Sequence, residues 1–137
     1  MKLSATVPAL PVQNVREAVA FYQRRFGFSV SYADDRFARL VRDEAEVHLW
    51  AADDDSWRQR SNLAEEPVRS GAESFIAGTA SCRIAVDDVD ALYAELTAAA
   101  VLHPNDPGSA VDTAWGTREF AALDIEGNVL TFWADKP

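Results

Sequence analysis

Apolar positions recur at helical spacing in two parts of the chain. The first set is Val15, Ala18, Val19, Tyr22 and Phe26. The 3.6-residue period predicts an amphipathic helix that faces a core. Asn14 is placed to cap its start, with Glu17 as the capping-box partner, and Gly27 is placed to end it.

The second set repeats the first after a shift of 74 residues, from position 15 to position 89. Its members are Val89, Leu92, Tyr93, Leu96 and Ala100. The preceding segment shifts identically, because Leu10 and Val12 correspond to Ile84 and Val86. The cap shifts as well, from Asn14 to Asp88. Such an internal repeat indicates two copies of one supersecondary unit.

Short runs typical of β-strands follow each predicted helix. They are residues 28–33, 37–42 and 46–51 after the first helix, and 118–124 and 128–134 after the second, with a poorly defined strand near 108–114. The chain is therefore predicted to be one α+β domain of two βαβββ modules, about 1–52 and 79–137. The polar segment of about 53–78 between them is expected to be a lid, a flexible linker or an inserted helix. Two curved sheets backed by helices would enclose a groove.

Composition narrows the classes of partner. The 137 residues, 48% of them hydrophobic, suffice for one core. A net charge of −9 disfavours nucleic acid and favours cationic molecules. No segment predicts a membrane span or a signal peptide. The single cysteine, Cys82, is typical of a reducing compartment, so we expect a cytoplasmic protein.

Three segments carry a family resemblance. "LPVQNVREAVAFYQRRFGF", "VDDVDALYAEL" and "WGTREFAALDIEGNVLTFW" resemble the vicinal-oxygen-chelate superfamily of glyoxalase I, extradiol dioxygenases, and fosfomycin and bleomycin resistance proteins. "ATVPAL", "ADDRFARLVRDEAEVHLW" and "AWGTREFAALDIEGN" are most similar to the bleomycin resistance group. The resemblance implies a homodimer with an exchanged N-terminal strand hinged at Pro8. It also implies two interface grooves that sequester a basic glycopeptide antibiotic without modifying it.

The resemblance places the superfamily's metal ligands near Val7, Trp50, Ser81 and Thr131. None of these is the His or Glu that holds a divalent ion in the related enzymes. We therefore predict no metal site, no cofactor and no catalytic residues. Of the two histidines, His48 is expected to line the cavity and His103 to lie in a surface loop.

The groove is expected to bind its ligand through aromatic side chains. The resemblance implies aromatic ligand contacts at the positions of Tyr32, Phe37 and Trp115, and His48, Trp50 and Arg83 complete the predicted ligand-binding residues. Packing in the core is the alternative role for each aromatic ring. Arg83 stands where the resemblance implies an aromatic residue. It would repel a cationic drug and favour a carboxylate-bearing ligand, unless an acid such as Glu119 pairs with it.

Three functions are compatible with these features. The first is sequestration of a bleomycin-like or other planar cationic molecule in a dimer-interface groove. The second is binding of another small metabolite, with Arg83 as an anchor for an anion. The third is a metal-dependent lyase, dioxygenase or transferase of the same fold, which stoichiometric metal in the purified protein would indicate.

Overall fold

The computed structural model describes all residues from 1 to 137. Its strands are β1 (Ala9–Val12), β2 (Ser29–Ala33), β3 (Phe37–Arg42), β4 (Ala45–Ala51), β5 (Ser81–Ala85), β6 (Val111–Asp112), β7 (Thr117–Leu123) and β8 (Val129–Asp135). Its helices are α1 (Val15–Arg25), α2 (Val89–Ala98) and a short 3-10 helix, Ser56–Gln59. No helix has the length and apolar character needed to cross a bilayer.

The two modules share one topology. Their sheets have the strand orders β1-β4-β3-β2 and β5-β8-β7-β6, and the first pair of each order is parallel while the others are antiparallel. This confirms the predicted α+β fold with paired modules. The indistinct pattern near 108–114 has a simple cause, because β6 is only two residues long.

The helix boundaries follow from local capping. The Asn14 side chain accepts a 3.0 Å hydrogen bond from the Glu17 amide, and Gly27 follows α1 with a φ of 71°. Asp88 caps α2 in the same way. The prediction for Ala100 was wrong: it lies beyond the end of α2, with a φ of 58°, instead of on the helical stripe. The second helix ends at Ala98 with Ala99 as its C-cap, one position earlier in the repeat than α1.

One hydrophobic core joins the modules through their helix-backed faces. A continuous cluster of 21 buried residues includes side chains from both sheets and both helices. The rings of Phe26 and Phe132, one from each module, are 6.4 Å apart in this core. The opposite face of each sheet is left open. The side-chain hydrogen bonds and ring contacts on an open face stay within its own module, so the chain carries two separate open faces.

The segment between the modules is held at both ends. Asp54 accepts a 2.8 Å hydrogen bond from the hydroxyl of Ser74, 20 positions later. The amide of Gly78 donates to the carbonyl of Pro11 in β1. The segment contains one turn of 3-10 helix and otherwise turns and bends. It is therefore a connection anchored at both ends, and its only helix is the short 3-10 helix Ser56–Gln59.

Candidate functional site: two open sheet faces

The open face of the first sheet carries a continuous aromatic cluster. We call Tyr32, Phe37, His48 and Trp50 the aromatic wall. Phe37 is at its centre, with ring centroids 6.2 Å from Tyr32, 5.0 Å from His48 and 4.8 Å from Trp50. Phe37 and Trp50 are register partners on β3 and β4, which places their rings side by side. The wall offers stacking surface for a flat molecule.

Polar partners hold both edges of this wall. The Tyr32 hydroxyl donates a 2.7 Å hydrogen bond to Asp34, which lowers the pKa of that carboxyl. His48 Nε2 lies 2.7 Å from Glu46 Oε2, and Arg39 donates to the other oxygen of Glu46 at 2.9 Å. Hydrogen bonding from Arg39, then from His48, lowers the pKa of Glu46. The carboxylates beside the rings are therefore ionised at neutral pH.

Trp50 has one side covered by the connecting segment. A Cβ atom built on Gly71 would overlap the indole ring of Trp50, so the backbone of residue 71 lies directly against it. Trp50 is thus partly a packing residue as well as part of the wall. The glycine is required there because no side chain fits.

The open face of the second sheet is organised around a carboxylate. We call Arg83, Trp115, Thr117, Glu119 and Trp133 the charged wall. Arg83 Nη2 lies 2.7 Å from Glu119 Oε2, and its Nη1 lies 3.3 Å from Oε1. The Thr117 hydroxyl donates to Glu119 at 2.8 Å. Hydrogen bonding from Arg83 is the main cause that lowers the pKa of Glu119, with smaller effects of Thr117 and Trp115.

Arg83 also lies over an aromatic ring. Its guanidinium carbon is 5.6 Å from the ring centroid of Trp133, within the range of a cation–π contact. The Arg83 side chain remains 48% exposed, whereas that of Glu119 is only 13% exposed. Arg83 was expected to repel a cationic ligand unless an acid such as Glu119 paired with it. The structure shows that pair, so the charge of Arg83 is balanced.

Trp115 lies at the edge of the charged wall and is 68% exposed. It precedes Gly116, whose φ of 92° turns the chain into β7. Such exposure of a large ring is not core packing. Its nearness to Glu119 links the ring to the charged pair.

The predicted residues therefore divide into two groups. Tyr32, Phe37, His48 and Trp50 come together on the first sheet, while Arg83 and Trp115 lie on the second. Their role in binding stays a prediction.

The sequence prediction missed other residues of these faces. Glu46 and Trp133 alternate with buried neighbours along β4 and β8, and this two-residue period was a signal that could have identified them. Glu119 was considered as a possible partner of Arg83. The register with β8 places it opposite Trp133, on the open face.

The strand register changes one of the four positions at which the resemblance places the superfamily's metal ligands. Ala9 is the partner of His48, and Arg83, which is 74 positions after Ala9, is the partner of Thr131. The counterpart of Thr131 is therefore His48 rather than Trp50. This set offers one imidazole, with Glu46 beside it, and no three His, Cys, Asp or Glu side chains gather as a metal site would require. The donor set does not fit the metal of the related enzymes.

Cys82 and His103 lie outside the two walls. Burial raises the pKa of the Cys82 thiol to about 11, which disfavours the nucleophilic thiolate. His103 lies in the loop after α2, where its Nδ1 accepts a hydrogen bond from the Asn105 amide.

Comparisons with known proteins agree with this architecture. Residues 4–132 match the model of the Glyoxalase/Bleomycin resistance protein/Dioxygenase superfamily. Bleomycin resistance proteins from Geobacillus stearothermophilus and Staphylococcus aureus are 44% identical over 128 residues, 93% of this chain and 94% of theirs. A crystal structure of the bleomycin-binding protein from bleomycin-producing Streptomyces verticillus, complexed with copper(II)-bleomycin, superposes with a TM-score of 0.70 and 25% identity, over 96% of each chain.

Proposed function

We propose a sequestering role for this chain, which belongs to the Glyoxalase/Bleomycin resistance protein/Dioxygenase superfamily. It binds a bleomycin-like glycopeptide antibiotic and confers resistance by withholding the drug from its target. The observation that carries the proposal is the 44% identity to bleomycin resistance proteins over nearly the full length of both chains. The open faces supply the physical support.

The two walls suit the two chemistries of such a ligand. The aromatic wall offers edges and faces of rings to flat heterocycles. Glu46 and Glu119 are ionised carboxylates on those faces, and the whole chain has a net charge of −9. The net negative charge therefore attracts a basic ligand over a distance, and at close range its cationic groups compete with Arg39 and Arg83 for these carboxylates.

The pairing of Arg83 removes the main argument for an anionic ligand. Its guanidinium is already bonded to Glu119 and stacked on Trp133. An incoming carboxylate would have to compete with both contacts. For this reason the anion-binding alternative is not favoured.

We infer that a complete groove takes one wall from each of two chains. Residues 1–7 are exposed, with Leu3 at 92%, although their apolar and polar residues alternate as in a strand. The first residue held to a sheet is Pro8, whose carbonyl accepts a bond from the His48 amide. This arm exchanges with a second copy about Pro8, and the resulting homodimer is cytoplasmic.

The proposal includes no catalytic step. No cluster of three metal-binding side chains and no reactive thiolate lie on the open faces, and tight binding alone suffices to lower the free drug concentration. Drug recovered from the complex is therefore chemically unchanged.

A titration tests the proposal directly. Tryptophan fluorescence and calorimetry would follow the addition of metal-free and copper-loaded bleomycin in chelator-treated buffer. We expect saturable binding of one drug per chain, weakened by salt. Absence of binding in calorimetry would refute the proposal.

The dimer is tested separately by deleting residues 2–7. Sedimentation should show a dimer for the full chain and a weakened dimer for the deletion. A full chain that stays monomeric at micromolar concentration would contradict the shared groove. A control deletion of Pro137 alone, which lies outside β8 and is exposed, should leave the dimer unchanged.

A further inference from the structure

The charged wall contains a site that the protein itself fills. Arg83 lies between the ring of Trp133, 5.6 Å away, and the carboxylate of Glu119, 2.7 Å away. A ring on one side and a carboxylate at the edge are the contacts that a planar cation requires. The guanidinium of Arg83 is itself a planar cation.

We propose that Arg83 is a built-in competitor that occupies a subsite for a planar cationic group of the ligand, and that binding displaces it. This inference rests on the proposed sequestration for its ligand, a bleomycin-like cation. It assigns Arg83 the role of a specificity-determining residue. In this role Arg83 reduces affinity and excludes neutral molecules.

The difference in exposure between the partners makes displacement feasible. Arg83 is 48% exposed on its flexible stem, so its head can move into water at little desolvation cost. Glu119 is 13% exposed and fixed by Thr117, so it stays in place. Removing its cation without a replacement would leave a poorly solvated charge.

The difference in exposure between Arg83 and Glu119 makes the subsite favour cationic ligands over neutral ones. A neutral flat ligand cannot take the position of Arg83 without leaving Glu119 unpaired, whereas a cation restores the pair. Trp115, next to Glu119, can then contact the same ligand. The subsite therefore distinguishes cationic from neutral planar molecules.

The first experiment uses a small probe instead of the drug. Methylguanidinium is titrated into the wild-type chain, into Arg83→Ala and into the double variant Arg83→Ala with Glu119→Gln, with tryptophan fluorescence and NMR shifts as readouts. We expect methylguanidinium to bind Arg83→Ala saturably at millimolar concentration, and not to bind the wild-type chain or the double variant. Equal shifts in all three proteins, or none in Arg83→Ala, would overturn the proposal.

The second experiment measures metal-free bleomycin. Loss of an exposed ion pair and a cation–π contact predicts that Arg83→Ala binds about five- to tenfold tighter than wild type. Arg24→Ala is the charge-matched control, because Arg24 is exposed on α1 outside both walls. Unchanged or weaker binding by Arg83→Ala would overturn the proposal.

Arg83→Met retains the apolar stem and should tighten binding similarly if Arg83→Ala folds poorly. If no protein binds bleomycin, the sequestration proposal fails, while the methylguanidinium titration still decides whether the subsite exists.

Discussion

The hydroxyl of Tyr22 donates a 2.8 Å hydrogen bond to Oδ2 of Asp124, 102 positions away in the other module. Both residues are buried, and burial together with Asp124 raises the pKa of Tyr22 well above its ordinary value. The phenol therefore stays a donor at all physiological pH values. The carboxylate also accepts bonds from Asn128, whose amide nitrogen reaches the Pro11 carbonyl in β1 at 2.9 Å. This network fastens the modules to each other.

Tyr22→Phe should lower the free energy of unfolding by about 1–3 kcal/mol, because a buried carboxylate loses one donor. Denaturant unfolding measures this loss. The partly exposed Tyr93, which donates to Asp106, provides the matched control Tyr93→Phe with a smaller loss. Equal losses in the two variants would contradict the special role of the inter-module bond.

Ala100→Gly should stabilise the chain by about 0.5–1 kcal/mol, because it relieves a left-handed conformation that costs a residue with a Cβ atom. Thermal and denaturant unfolding provide the measurement. Ala99→Gly, one residue earlier in the right-handed region, should be destabilising instead. A loss of stability in Ala100→Gly would show that the φ at this position is relaxed.

Asp54 should make the free energy of unfolding depend on pH in the acidic range. Hydrogen bonding from Ser56, in the side chain first and then in the backbone, and from Ser74 lowers its pKa from 3.8 to about 2. Since the folded value is depressed, the stabilising contribution is complete above pH 3.8 and is lost as the pH falls through about 2. Asp54→Asn should flatten the decline of unfolding free energy between pH 4 and pH 2.

Asp55→Asn serves as its control, because the Asp55 side chain makes no hydrogen bond or ion pair. The control should follow the wild-type pH profile. A wild-type slope in Asp54→Asn would mean that other carboxylates dominate acid unfolding.

Trp115→Ala should weaken bleomycin binding at least about tenfold while changing the melting temperature little, because the ring is mostly exposed. Phe120→Ala is the contrasting variant. Phe120 is buried against Tyr93 and Phe132, so its removal should cost about 3–5 kcal/mol of stability. Parallel losses of binding and stability in Trp115→Ala would assign that ring to the core.

The hydrophobic pattern was sufficient to predict the modules, since burial of Val15 and Val89 at equivalent positions needs only helical periodicity. It could not predict how the modules join. Tyr22 corresponds to Leu96 in the repeat, so the apolar pattern treats the two alike and carries no sign of the hydrogen bond to Asp124. The hairpin turn at 124–128 likewise gives no sequence signal that Asn128 is fully buried at the module junction.

The candidate site was predictable to the extent that strand alternation determines which face a residue occupies. Tyr32, Phe37 and Trp115 follow from the aromatic positions that the family resemblance implies. The cover that Gly71 places on Trp50 was not predictable, because it depends on the path of a connection without regular structure. The stacking of Arg83 on Trp133 depends on a pairing between β5 and β8, 50 residues apart along the chain at positions 83 and 133.

The unlike character of the two open faces has a consequence for the orientation of any molecule that contacts both. One face presents mainly rings, and the other presents a carboxylate that requires a cation. A molecule with dissimilar sides can satisfy both faces in one orientation only, and turning it over loses both sets of contacts. Two modules of the same topology therefore carry open faces of unlike chemistry, and that difference alone fixes the orientation of such a molecule.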